Sequence, residues 1–585
     1  MPADVATDPA VDLTDGLAVR TYLESLRARQ NSVAASWYSQ WQQLREFFQP
    51  RGSVIGPEDV NDGGRRDQFI INETGLLCLR ILKSGMLTGM SNQTREWFKV
   101  TVEDYELMEQ QDVKTWCEEV ADCVRRTMLK SNFYQELLSL YGNLGLYGTA
   151  AFLIEEDDHT DIRCKPYTNG TFTVAVSDEL RVDLTIRSFM MTARQILEKF
   201  GYDNCSSAVQ AYKASNAGGI QETYLQVAHV ICRGDYFDQR NINPKLKAAL
   251  GGDIPWLSIW YEVGQFNTEK GLLRQSLFYE NPLMCGRWDV TGENVYGESP
   301  AMDVLGSVMS LQTWEERLAQ GAEKQFNPVT IAGTDVDPRR VTSLPGETIF
   351  VDAKDVSKAF GAAYNVDFKL DQGMNMVKRI EDRIREGMFV NVFQQFIDSD
   401  RRQQTAEEVR AKMQEKMQVL GPVVERNVEE VLAPSVMRIM SILGRKGKLP
   451  EMPDSIKKSG TKIKPVFESM LASAQKMLRL NNVGQVLQMV GQEAALNQGI
   501  LDNFDFDKIA QGIADDASLP AEFVRTPEAV IALRKAKERA QQQQMLVENA
   551  QKLAAAANVA SQTPVGAGSN LLEKVAPGMA GGSPS

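Results

Sequence analysis

Between residues 299 and 410 the chain carries two apolar stripes of helical period separated by a short β-rich stretch, and this arrangement restricts the fold more than anything else in the sequence. Ser299-Pro300 reads as a helix cap followed by proline at the first helical position, where its missing N–H is not needed. Apolar residues recur at Leu305, Val308, Met309 and Leu318, and Asn327-Pro328 stops the pattern. That predicts a helix of about 27 residues, roughly 40 Å long. Val377, Ile380, Ile384, Met388, Val392 and Phe396 follow at spacings of three and four, predicting a second helix of similar reach. Two matched rods joined at one end by a small β unit suit the wall of a ring or tube. An enzyme of ordinary design has little use for them.

The flanking chain is longer and more varied. Residues 17–48 form a helical pattern with Val33, Trp37, Trp41, Leu44 and Phe48 on one face. The aromatic cluster Trp37, Tyr38, Trp41, Phe47 and Phe48 could stack on bases, but its helical period matches burial better. Residues 51–67 read as a loop, 70–90 as a helix, 95–100 as a strand entry and 111–141 as one amphipathic helix. Gly142, Gly145 and Gly148 then mark a switch to strand; their spacing is not the dinucleotide fingerprint. From 150 to 290 short strands at 150–155, 172–176, 181–189, 224–232, 256–263 and 275–279, with a helix at 192–200 closed by Gly201, describe an α+β block. Beyond the rods, 405–443 is helical with a kink expected at Gly421-Pro422, and a strand at 463–467 is expected to return to the α+β sheet. Residues 471–517 are helical, and Thr526-Pro527 opens a last, weakly amphipathic helix to about 557, of a kind that packs against copies of itself. The final residues, rich in Gly, Pro, Ser and Ala, read as a disordered tail.

A chain of 585 residues exceeds one core, and usual domain sizes give about three to five units. A formal charge of −13 argues against gripping nucleic acid over the whole surface, since phosphate neutralisation needs net Lys and Arg. The seven cysteines are scattered without a CxxC pair and read as buried thiols in a reducing compartment. No apolar run is long enough to span a bilayer, so a soluble protein is expected. The search for chemistry returns little. His159 and His229 are far apart, and Ser299 in Gly297-Glu298-Ser299-Pro300-Ala301 is explained by the helix cap rather than a nucleophile elbow. Glu155, Glu156, Asp157, Asp158 and Asp161 could hold a divalent metal as in a nuclease, or simply solvate a hairpin turn. No phosphate-cradling G-x-x-x-x-G-K-[ST] occurs. What remains is basic: Lys378, Arg379, Arg383 and Arg385 fall off the apolar stripe of the second rod, and Arg401, Arg402, Gln403 and Gln404 lie in the polar link beyond it. Interleaved Glu381, Asp382 and Glu386 can make these a solvated, internally paired face. If many copies line a tunnel, the same arginines can touch phosphates without holding them.

Several separated stretches together carry a family resemblance. These are Leu82-Lys83-Ser84-Gly85-Met86-Leu87 before Arg95-Glu96-Trp97-Phe98-Lys99; Leu146-Tyr147-Gly148-Thr149-Ala150; and Thr192-Ala193-Arg194-Gln195-Ile196-Leu197-Glu198-Lys199-Phe200-Gly201. With them go Val295-Tyr296-Gly297-Glu298-Ser299-Pro300-Ala301-Met302, Thr405-Ala406-Glu407-Glu408-Val409 and Leu420-Gly421-Pro422-Val423-Val424-Glu425-Arg426. In this order the chain resembles the head-to-tail connector, or portal, proteins of short-tailed double-stranded DNA bacteriophages. One departure is Asn92-Gln93 before Thr94, where the pattern has a proline.

The resemblance implies a predominantly helical α+β portal fold. In it, 1–298 hold the N-terminal helices and α+β wing, 299–327 the first stem helix, 328–370 the clip and 371–396 the second stem helix. The tunnel loop is then 397–404, a long kinked helix and return to the wing 405–470, a helical crown or barrel 471–560, and a disordered tail 561–585. It further implies a non-enzymatic ring of about twelve subunits at one capsid vertex, through which DNA is packaged and ejected. The implied partners are double-stranded DNA, the terminase motor, tail adaptor proteins, scaffold and major capsid protein, with no cofactor and no membrane. The implied location is the virion, and the host cytoplasm during assembly. The DNA-facing residues would be Arg401, Arg402, Gln403, Gln404, Lys378, Arg379, Arg383 and Arg385. A metal-dependent nuclease and an adaptor that binds protein only are the alternatives.

Overall fold

In the computed structural model the described residues are 16–52, 56, 67–108, 110–214, 224–237, 256–264, 271–326, 330–332, 360–362, 369–393, 420–467, 480, 483–490, 504–516 and 527–562. The fold is mainly helical α+β. It divides into two compact units, one of residues 1–103 and 119–475, the other of 104–118 and 476–585.

The first unit begins with α1 (Gly16–Phe48). Its N-terminal half lays Val19, Leu23 and Leu26 on one face of a sheet, against Leu184, Ile186, Val230, Leu257 and Ile259. Its C-terminal half buries Trp41, whose ring meets Tyr296 edge-on at 5.3 Å. Of the aromatic cluster Trp41 and Phe48 are buried and Trp37, Tyr38 and Phe47 half-buried, while Val33 of the same stripe is exposed. Helix α2 (Thr74–Met90) precedes strand β1 (Phe98–Val102).

Where one helix was expected over 111–141 there are two, α3 (Gln111–Lys130) and α4 (Phe133–Tyr147). The break has a physical cause in Asn132. Its side-chain amide donates to the Cys164 carbonyl at 2.8 Å and accepts the Cys164 N–H at 2.9 Å, pairing with the backbone of another element rather than continuing the helix. Gly142 and Gly145 stay helical, and a Cβ at Gly145 would lie 2.1 Å from Leu82 Cδ2, so this glycine admits α2. Only Gly148, at φ +76°, makes the switch to strand.

The strands between residues 149 and 287 form two separate sheets. β2 (Thr149–Asp157) is central to the smaller, between β3 (Asp161–Tyr167) and β9 (Leu283–Arg287). The larger is a five-stranded antiparallel sheet of β4 (Phe172–Val176), β5 (Val182–Thr192), β6 (Tyr224–Arg233), β7 (Trp256–Glu262) and β8 (Leu272–Phe278) in chain order. Helix α5 (Ala193–Phe200) starts in a full capping box, Thr192 with Gln195, and α6 (Ser207–Ala214) follows.

Helix α7 (Pro300–Phe326) starts where the cap-then-proline signal placed it, with Ser299 Oγ accepting the Met302 N–H at 3.2 Å. Of the insertion, β10 (Thr330–Ala332) and β11 (Phe360–Ala362) are described and pair antiparallel. Helix α8 (Leu370–Gly387) is shorter than the expected second rod. Phe389, at φ +56°, interrupts it before one more helical turn at residues 390–393. The link at 397–404 lies outside the described residues, as does the approach to Gly421-Pro422 from 405–419. The irregularity that is seen comes later, a π turn at Val428–Leu432 ahead of α9 (Ala433–Arg445), where Pro434 cannot supply the amide of a regular helix. Strand β12 (Ile463–Phe467) does form, but it pairs with β1 in a two-stranded sheet of its own rather than with the larger sheets. Phe467 stacks on Trp97 there at 5.9 Å.

In the second unit, α10 (Phe506–Asp516) is tied to α11 (Pro527–Gln562) by Arg534, whose guanidinium donates to both Asp507 oxygens at 2.7 and 2.6 Å. Helix α11 leaves Ile531, Met545, Leu546, Val547 and Leu553 exposed and extends past the expected boundary at 560. The tail from 563 onward lies outside the described residues.

Candidate functional site

The two rods pack along their buried stripes, Val304, Leu305, Val308 and Leu311 on α7 and Val377, Ile380 and Ile384 on α8. Two glycines bring the axes together. A Cβ at Gly373 would stand 2.4 Å from Leu318 Cδ1, and one at Gly387 would stand 2.3 Å from Val304 Cγ1. Beyond the break, Phe393 covers Gly85 of α2 in the same way, at 2.3 Å. The pair is thereby wedged against α2 rather than free-standing.

A polar node holds the rods to the strand of chain before α2. Gln312 occupies a position on the buried stripe of α7, where an amide needs partners. Its Oε1 accepts the Ile71 and Asn72 N–H groups at 2.7 and 2.8 Å, and its Nε2 donates to the Asn72 carbonyl at 2.9 Å. Asn72 Nδ2 then donates to Glu315 at 2.9 Å and to Glu381 at 3.1 Å, one carboxylate from each rod. Sequence reading missed this node, although a glutamine inside an apolar stripe was its signal.

The basic residues of α8 divide. Arg385 donates to Glu381 and Asp382, both at 3.4 Å, so it is held on its own helix as the interleaved charges allow. Lys378, Arg379 and Arg383 are exposed, and among the described residues no ion pair engages them. Arg379 and Arg383 stand one helical turn apart, so their charges share a face. Arg401, Arg402, Gln403 and Gln404 lie outside the described residues.

The residues weighed for other chemistry are engaged individually. Lys165 binds Glu155, while Arg445 binds Glu156 at 2.6 Å. Asp157 accepts the Thr160 N–H and hydroxyl, each at 2.8 Å, and so caps its own hairpin, which holds its carboxyl below the usual range. Asp161 is bound by Lys448 and Lys446. Among the described residues no group of three or more His, Cys, Asp or Glu is placed to hold a metal ion. Ser299 Oγ donates to the Leu146 carbonyl at 2.8 Å while capping α7, so both its hydrogen-bonding roles are used. His229 is buried and stacked on Trp260 at 3.8 Å, with Nε2 2.9 Å from Ser258 Oγ, and burial drives its pKa well below the ordinary histidine value. Six of the seven cysteines are buried, and Cys123 is partly exposed. Among the described residues no helix is long and apolar enough to cross a membrane.

Comparison with known proteins follows the same order along the chain. The family model for the bacteriophage head to tail connecting protein matches residues 20–524. A portal protein of Salmonella phage epsilon15 is 34% identical over 518 residues, covering 88% of this chain and 90% of that protein. A probable portal protein of Bordetella phage BPP-1 is 30% identical over 514 residues, 87% of this chain and 89% of that one. A solved chain from the virion of a native gene transfer agent particle is matched over 72% of this chain and 89% of its own, at 9% identity and a TM-score of 0.33.

Proposed function

The chain belongs to the bacteriophage head to tail connecting protein family, and from that premise we propose that it is the subunit of a closed ring, of about twelve copies, that conducts double-stranded DNA through one capsid vertex. As a structural head-tail connector of the virion, it needs a rigid wall more than an active site. The observation that carries the reading is the α7–α8 pair: two rods in close glycine-mediated contact, with Lys378, Arg379 and Arg383 exposed and unpaired among the described residues. Three unpaired cations per copy, repeated around a ring, give weak contact with phosphates, and the −13 net charge limits adhesion elsewhere.

In this reading 299–327 and 371–396 are the stem, 328–370 the clip, and 397–404 a tunnel loop whose Arg401, Arg402, Gln403 and Gln404 also face DNA. Helix α11 presents its exposed apolar residues to copies of itself in a crown or barrel. The terminase motor and then tail adaptors dock at the clip, and scaffold and major capsid protein surround the wing. Assembly takes place in the host cytoplasm.

Negative-stain imaging of the purified full chain tests the ring. Closed rings with an axial channel are expected, and monomers or dimers across salt and protein concentration would overturn the proposal. Charge reversal of Arg401 and Arg402 tests the loop. Intact rings with impaired packaging or DNA retention are expected, whereas unchanged packaging removes these arginines from the DNA contact.

A further inference from the structure

A second concentration of positive charge lies far along the chain from the rods, on the five-stranded sheet. Strand pairing places Arg187 of β5, His229 of β6, Trp260 of β7 and Arg274 of β8 directly opposite one another, so all four project from the same face of the sheet. The other face packs on α1. Two more cations converge on this row. Lys199, at the end of α5, holds its Nζ 3.4 Å from the Trp260 ring centroid, and Lys165 of β3 binds Glu155 beside it. The Arg187 guanidinium lies between two rings, 4.6 Å from the centroid of Tyr167 and 4.4 Å from that of Phe189.

This arrangement is costly as it stands. Burial, then the neighbouring Lys165, Arg274 and Arg187, push the Lys199 amine down to about 8 against the pull of Glu155. Burial also lowers the Arg187 value, and its Nε is buried with no hydrogen-bond partner. Among the described residues no carboxylate pairs with Arg187, Lys199 or Arg274, and Glu155 is already committed to Lys165. Gathering four cations, two of them over aromatic faces, with one carboxylate among them is the kind of local conflict that persists where a ligand relieves it.

We propose that this row is a docking site for a short acidic segment of a partner protein, whose carboxylates complete the pairing that Glu155 begins. The aromatic surfaces argue against a nucleic-acid site. Trp260 and His229 are 7% and 2% exposed, so neither ring is available to stack on a base. The Arg187 guanidinium, packed over the Tyr167 and Phe189 rings, carries a fork of N–H donors that matches a carboxylate. The chain's −13 charge repels a long polyanion more than a short acidic stretch, whose charges fall within a screening length of the site. The test of this site does not depend on ring formation.

Competitive lysine acylation of the purified full chain, read by peptide mass spectrometry, tests the proposal with hexaglutamate as probe. Hexaglutamate is expected to slow acylation of Lys199 saturably, by about fivefold or more, while exposed Lys535 is unaffected. Arg274→Glu, an exposed change on β8, should abolish the protection. Glu155→Gln should strengthen it by removing the internal carboxylate, an effect that a merely structural Glu155 would not produce. Protection by inorganic phosphate or a short DNA duplex but not by hexaglutamate would overturn the acidic-segment assignment. Equal acylation under all conditions would overturn the site itself.

Discussion

Glu430 and Arg287 join the π turn before Pro434 to strand β9: the Glu430 carboxylate accepts the Arg287 backbone N–H at 2.8 Å and two guanidinium N–H groups at 3.0 and 2.6 Å. Gly286 makes the approach possible, since a Cβ there would lie 2.7 Å from Val431 Cγ2. The pair is nearly out of solvent, with side chains 5% and 17% exposed for Arg287 and Glu430. Burial raises the Glu430 pKa while Arg287 opposes the rise.

Removing one member of such a pair leaves the other charge buried. Glu430→Ala is therefore expected to destabilise the chain by about 3–5 kcal/mol. The double change Arg287→Met with Glu430→Leu should recover most of that loss, because both desolvation costs vanish together. Urea unfolding of both variants beside the parent chain checks this, and a double variant no more stable than Glu430→Ala would contradict it.

Gly148 should tolerate no side chain. It combines φ +76° with backbone on the Cβ side, the Gly297 oxygen standing 2.1 Å from an added Cβ. Its own carbonyl accepts the Trp288 N–H at 2.8 Å, so the turn cannot shift without breaking that bond. Gly148→Ala is expected to cost more than about 3 kcal/mol, read as lost soluble protein or a large drop in Tm.

His229 sets a pH dependence. It stays neutral in the folded chain because burial, reinforced by Lys199 and Arg187, lowers its pKa, whereas in the unfolded chain it takes a proton below about 6.5. The unfolded state then binds more protons, so stability falls as pH falls below that value, by about 1.4 kcal/mol per pH unit until the folded value is reached. Comparing urea midpoints of the parent chain and His229→Gln between pH 7 and 5 isolates the contribution. Parallel curves would show that the imidazole is not held neutral.

On α8 the exposed and paired cations should behave differently. Reversing Lys378, Arg379 and Arg383 to glutamate is expected to leave the melting temperature nearly unchanged and to reduce DNA retained by particles at low salt, the difference from the parent chain shrinking as salt is raised. Arg385→Glu should instead lower Tm, because it places a third carboxylate beside Glu381 and Asp382. Equal effects of both sets on packaging would show that pairing does not sort these residues.

Signals acting within a turn or two of chain were legible without coordinates. Ser299-Pro300 located the start of α7, Gly201 the end of α5, and alternation most strands of the larger sheet. The shared order of short motifs was enough to point to the family. The exceptions arose where a residue's partner lies far away along the chain. Asn132 ends a helix because Cys164 is there to accept and donate, and β12 joins β1 across most of the chain. Likewise Gln312 is satisfied by Asn72, and Arg187 stands in one row with Arg274 only because four paired strands, β5 to β8, bring them into line. Helix periodicity, caps and strand alternation are local properties of the chain, so the sequence by itself determined the rods and their neighbours. Which strand pairs with which, and which charges are neutralised or left over, depends on contacts between distant segments, and these the tertiary structure alone decided.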